Sequence, residues 1–154
     1  MANVFDVAKY ILEQMGEMTA MKLQKLVYYS QAWTLVWDEQ PLFLEKIEAW
    51  ANGAVIPALY DVHRGMFGIN ANAIPQGDIS SLTQHQKDNI DKVLGFYSKY
   101  TAQQLSDINH QEDPWVYARV GLQPLERSHN EITRDAIYEY HLGIWSAPED
   151  EEHE

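Results

Sequence analysis

Chemistry in this chain would have to come from histidines and carboxylates, because it contains no cysteine. The histidines are His63, His85, His110, His129, His141 and His153. No two stand four residues apart, so none form the helical pair that grips zinc, and HExxH is absent. His110 and Asp113 stand three apart, which a metal could use. Asp113 serves better, however, as the N-cap of a helix opened by Pro114. His110 is then expected to fix its loop by hydrogen bonding to backbone groups. There is no GxSxG for a serine nucleophile. Gly65 and Gly68 are too sparse for a phosphate loop, and GxxxxGK[ST] is missing. Glu45 and Glu48 read as solvated strand or loop charges. These residues point away from catalysis and imply no metal and no cofactor; a small metal-dependent enzyme using His110 and Asp113 is the remote alternative.

Composition narrows the remaining classes. At 154 residues the chain is long enough for one core, and 45% apolar residues exclude general disorder. The formal net charge of -12 argues against a nucleic-acid binder, which needs clustered lysine and arginine. Removing the five acidic residues Glu149, Asp150, Glu151, Glu152 and Glu154 still leaves about -7. Charge alone leaves two readings, solubility and a basic partner. The first fifteen residues lack a basic region followed by an apolar run, and no stretch approaches the roughly 18 apolar residues of a membrane span. Together with the absent cysteines, this is read as a cytoplasmic protein without membrane contact. Five tryptophans and nine tyrosines supply aromatic area for a core or for a partner surface.

The elements that would carry these residues are mainly helical. Thr19–Trp37 reads as a central helix, capped by Thr19 and apolar on two faces, with Gln24, Gln31 and Asp38 on a narrow polar stripe. A helix with two apolar faces must be covered on two sides. Asn3 with Asp6 forms a capping box for a first helix that ends at Gly16. Residues 45–56 read as a hairpin whose Asn52-Gly53 turn needs positive φ at both positions, and Pro57 opens a helix to about His63. Residues 65–81 read as a long loop. Thr83 with Gln86, Thr101 with Gln104, Asp113 with Pro114, and Thr133 each mark a further helix start. The expected unit is a single compact domain over 3–145, followed by an acidic disordered tail over 146–154.

Three stretches together resemble a known family: MKLQKLVYYSQAW at 21–33, PLFLEKIEAWANGAVIPALY at 41–60, and HQEDPW at 110–115. Their order resembles the Panacea antitoxin domain, also called SocA-like or GepA-like, over about residues 3–142. The chain departs from that pattern at Ala54, where proline is frequent, and at Asn109, where a small hydroxyl residue is frequent. The resemblance implies the antidote half of a toxin–antitoxin pair, often linked to phage defence. It implies a mainly α domain with a small β element, neutralising a cognate protein toxin by direct binding and occlusion. Partners in the family include alarmone-synthetase-like toxins. One branch instead delivers its toxin to a AAA+ protease as a proteolytic adaptor.

In the occlusion reading, an acidic surface with aromatic anchors covers a basic face of the toxin. Buried framework residues are expected to be Leu23, Leu26, Val27, Trp33, Trp50 and Trp115, with Gly53, Pro57 and Pro114 fixing a turn and two helix starts. Partner-surface candidates are Lys22, Lys25, Tyr28, Tyr29, Glu48, Tyr60, Met66, Phe67 and His110. Tyr28 and Tyr29 point about 100° apart on a helix, so one is expected in the core and the other nearer the surface. If the start of the central helix is buried, the binding surface is expected on the 65–81 loop.

Overall fold

The computed structural model describes residues 1–147, so the acidic tail lies outside the described residues except for Ser146 and Ala147. The chain is mainly helical with small antiparallel sheets. Helix α1 spans Val4–Met15, the two-residue strand β1 Met18–Thr19, and α2 Ala20–Asp38. Strands β2 (Ile47–Trp50) and β3 (Gly53–Val55) lead into α3 (Pro57–His63). Strand β4 (Gly68–Ile69) precedes α4 (Gln84–Tyr97), α5 (Ala102–Asn109) and α6 (Asp113–Ala118). Strand β5 (Glu131–Ile132) precedes the last helix, α7 (Arg134–Trp145).

Helix α2 is the axis of the molecule. Every residue from Leu23 to Ala32 is buried, because α1, α4, α5, α7 and β3 all pack on it. Leu23, Leu26 and Val27 are fully buried, as a two-faced apolar helix requires. The caps are those the sequence marks: Asn3 and Asp6 form a reciprocal box, and so do Thr83 with Gln86 and Thr101 with Gln104. Thr19 and Thr133 cap α2 and α7.

The polar stripe of α2 does not face water. Gln31 is buried, and its amide acts as a substitute strand. Its Oε1 accepts from the backbone N–H of Leu42 at 2.7 Å and of Phe43 at 3.3 Å, while its Nε2 donates to the Phe43 carbonyl at 2.8 Å. Gln24 does the same for Ile56, accepting from its N–H at 2.9 Å and donating to its carbonyl at 3.3 Å. Asp38, at the far end, accepts from Asn89 at 3.0 Å and contacts the His85 ring at 2.8 Å.

Several expectations are corrected. Tyr28 and Tyr29 are both fully buried, since α2 is covered all round and 100° of rotation only exchanges one neighbour for another. Trp33, Trp50 and Trp115 are only half-buried, each sending its indole N–H inward: Trp33 to the Tyr97 hydroxyl, Trp50 to Glu48, Trp115 to the Trp50 carbonyl. The hairpin turns at Ala51 and Asn52, neither with positive φ; the positive φ of 119° falls on Gly53, which pairs with Trp50. A third strand, β5, joins the hairpin with Ile47 opposite Ile132. Helix α6 begins at Asp113 with Glu112 at the N-cap, because the Glu112 carboxylate turns into the core and leaves the cap without a side-chain bond. The 65–81 segment is not one open loop. Its β4 pairs with β1, Ile69 and Ile74 are buried, and Asp6 Oδ1 accepts from the Asp78 N–H at 2.7 Å, strapping it to α1.

If Gln31 substitutes for a strand, Gln31→Ala leaves buried backbone groups at Leu42 and Phe43 unpaired. The expected loss is roughly 2–4 kcal/mol of unfolding free energy. Urea denaturation measures it, and a change under about 0.5 kcal/mol would mean that these groups are satisfied in another way.

Candidate functional site

The site is built where the start of α2, the β2–β3 hairpin, α3 and the segment before β4 meet. Trp50 projects from β2, and its ring meets Tyr60 of α3 edge to face at 4.9 Å. Glu48 Oε1 receives the Trp50 indole N–H at 2.9 Å and stands 3.0 Å from His129 Nδ1, so one carboxylate holds both rings. On the other side the Phe67 carbonyl accepts the Ala20 N–H at 2.9 Å. That bond ties the loop to the first turn of α2 and leaves the Phe67 side chain 84% exposed. Between these walls lies a groove of about 910 Å³, lined among others by Met21, Trp50, Tyr60, Met66 and Phe67.

Polar groups form its floor. Gln24 fixes the protonation of His63. With Gln24 Oε1 accepting from Ile56, its Nε2 must donate, and it points at His63 Nε2 from 3.0 Å. That nitrogen is therefore an acceptor and the ring is neutral; burial lowers the His63 pKa in the same direction. Beside Gln24, Lys25 is 1% exposed and donates to the Ala54 carbonyl at 3.1 Å, with no carboxylate in salt-bridge range among the described residues. Burial pushes its pKa down to about 8. Gly53 leaves it room: a Cβ there would come within 2.7 Å of Lys25 Cε and 2.8 Å of Asn109 Oδ1.

A chain of hydrogen bonds runs from this floor into the core. The Ala54 N–H donates to Asn109 Oδ1 at 2.6 Å, Asn109 Nδ2 donates to Glu112 Oε1 at 3.2 Å, and the Tyr29 hydroxyl donates to the same oxygen at 2.8 Å. Burial raises the Glu112 pKa to about 7, against the two hydrogen bonds, which lower it. The opposite rim hangs on Arg119. Its buried guanidinium donates to the carbonyls of Ala49, Gln123, Pro124 and Glu126, and so shapes the loop that carries Arg127 and His129 into the groove wall.

Of the nominated partner-surface residues, the structure brings Lys25, Tyr60, Met66 and Phe67 to this groove and places Glu48 behind it. Lys25 contributes from below and not as a free surface cation. Lys22 is drawn away, donating to the Ser98 carbonyl at 2.7 Å. Tyr28 and Tyr29 present no surface. His110 stacks on Trp115, their ring centroids 4.2 Å apart, and does not reach the groove. Among the described residues no group of three or more histidines and carboxylates is placed to hold a metal ion. Sequence reasoning missed His63, Arg64, Arg127, His129, Asn109, Glu112 and Arg119; only Asn109 gave a signal, as a departure from a family pattern. A smaller cleft of about 310 Å³ near Leu44 and Arg134 carries charges of both signs.

Residues 23–116 match the model of the family described as antitoxin SocA-like, Panacea domain. The match runs from α2 into α6 and therefore contains the floor of the groove, while α1 and α7 fall outside it. No curated protein matches the chain, and no solved structure does. No helix among the described residues is long and apolar enough to cross a membrane.

The buried ammonium has a measurable signature. Its folded pKa of about 8 lies below the ordinary 10.5, so above about pH 8 the folded chain releases a proton that the unfolded chain keeps. Stability that is lost as pH falls through 8 is regained as pH rises toward 10.5. The wild type should gain up to about 3 kcal/mol relative to Lys25→Met between pH 7.5 and 10.5. Urea titrations of both proteins at the two pH values test this; an unchanged difference would contradict a buried, charged Lys25.

Proposed function

Since the chain belongs to the SocA-like Panacea antitoxin family, whose model matches residues 23–116, we propose that it neutralises a cognate protein toxin by binding it and occluding its working face through the groove between α2, the hairpin and α3. One observation carries this assignment of the face. Residues from four separate stretches, Lys25, Trp50, Tyr60 and Phe67, converge on one groove, and Phe67 and Met66 stand out from its rim at 84% and 45% exposure. Large apolar side chains held in water beside a built groove are typical anchors of a protein interface. The aromatic residues supply contact area at low entropic cost, and the network beneath keeps the groove in shape before the partner arrives. The chain's own part is binding, through apolar side chains at the rim and a hydrogen-bonded floor beneath them.

Co-expression with the protein encoded beside it tests the reading. The neighbour alone should arrest growth, and this chain should restore growth while the neighbour stays abundant and inactive. Phe67→Asp, with circular dichroism and thermal unfolding unchanged, should abolish rescue. A neighbour equally tolerated without this chain would remove the reading. A neighbour that disappears only in cells containing a AAA+ protease would replace occlusion with delivery for degradation.

A further inference from the structure

The groove is the electrostatic inverse of the chain that carries it. Acidic residues outnumber basic ones by 23 to 11 overall, yet no aspartate or glutamate lines the groove. Lys25, Arg64 and Arg127 do. Among the described residues, Lys25, Arg64 and Arg127 have no salt-bridge partner, and Glu48, beside the groove, is already held by the Trp50 indole and the His129 ring. The first turn of α2 also lines the groove, adding the positive end of a 19-residue helix to the same field. A buried ammonium whose one hydrogen-bond acceptor is a carbonyl is screened less than a solvated one.

Resting on the reading that the toxin covers this face, we propose that the segment entering the groove is an acidic stretch of the toxin with at least one aromatic or large aliphatic side chain. Its carboxylates face Arg64 and Arg127 above Lys25, and its apolar side chain lies against Trp50, Tyr60 and Phe67. The antitoxin thus meets its partner with a local charge opposite to its own net charge. A nucleic acid fits less well. Its phosphates would be repelled by a net charge of -12, and the apolar walls would stay unfilled. A short acidic segment needs only the local field of Arg64 and Arg127, to which the buried Lys25 adds from below. Strand addition is not the mode here, because Ala54 and Ile56 on the outer edge of β3 are already paired by side chains.

Isothermal titration of the purified chain with its purified toxin tests the proposal. Arg64→Glu and Arg127→Glu are each expected to weaken binding at least about tenfold, and added salt should weaken the wild type more than the double Gln variant. Lys46→Glu and Lys99→Glu, exposed outside this groove, change net charge equally and should move affinity less than about threefold. A benzophenone placed at position 67 should cross-link to an acidic segment of the toxin, and converting that segment's carboxylates to lysine should restore affinity for Arg64→Glu. Equal effects of groove and control variants, or a basic cross-linked segment, would overturn the proposal while leaving the toxin reading in place. Saturable binding of ATP to the groove in competition with the toxin would also overturn it. Absence of any complex would remove the toxin reading and this proposal with it.

Discussion

The outer edge of β3 has no strand beside it, and the structure depends on how that edge is closed. The N–H and carbonyl groups of Ala54 and Ile56 point toward α2 and the end of α5 in a buried region. Unpaired, each would lose about 1–3 kcal/mol of hydrogen bonding. Gln24, Lys25 and Asn109 answer all four. This requirement explains why polar residues sit inside the central helix, why that helix must lie against the sheet, and why position 53 has no side chain. Gln31 repeats the device two turns further on, for Leu42 and Phe43.

The same closure shapes the site. Drawing Lys25 under the hairpin puts a positive charge below the groove without a carboxylate to neutralise it, an arrangement that stability alone would not favour. The neighbouring bonds couple Ala54 and Asn109, the two positions at which the sequence is expected to depart from the family pattern. Proline at position 54 would have no N–H; alanine has one, and Asn109 is the residue that accepts it. The Ala54 N–H is thus no loose donor in the hairpin, because Asn109 ties it down. Through Glu112 and Tyr29 the network then reaches the stack of Tyr29 on Tyr97, whose rings lie 4.2 Å apart and nearly parallel. The groove floor and the aromatic core are therefore one hydrogen-bonded unit.

Much of the scaffold is readable from the sequence because caps and periodicity act locally. Thr19, Thr83, Thr101 and Thr133 mark helix starts through bonds only a few residues long. The apolar content of 19–37 announces a buried helix. What the sequence does not show is the use of polar side chains inside that helix, since a buried glutamine that pairs backbone reads the same as one facing water. The strands β4 and β5 escape notice because two residues carry no alternation. For the site, Tyr60, Met66 and Phe67 are legible as aromatic or apolar residues in loop-flanked positions. Arg127 and His129 are not, because their place depends on Arg119 gathering their loop by the carbonyls of Gln123, Pro124 and Glu126, and Arg64 is not, because only the fold brings the end of α3 opposite that loop.

The central claim is that the groove between α2, the hairpin and α3 is the face the toxin covers. Hydrogen–deuterium exchange of the chain, free and bound to its toxin, tests that claim most directly. Slowed exchange is expected in residues 50–55, 60–67 and 127–129, with the exposed faces of α4 and α7 unchanged. Slowed exchange confined to α4 or α7, with the groove segments unchanged, would contradict it.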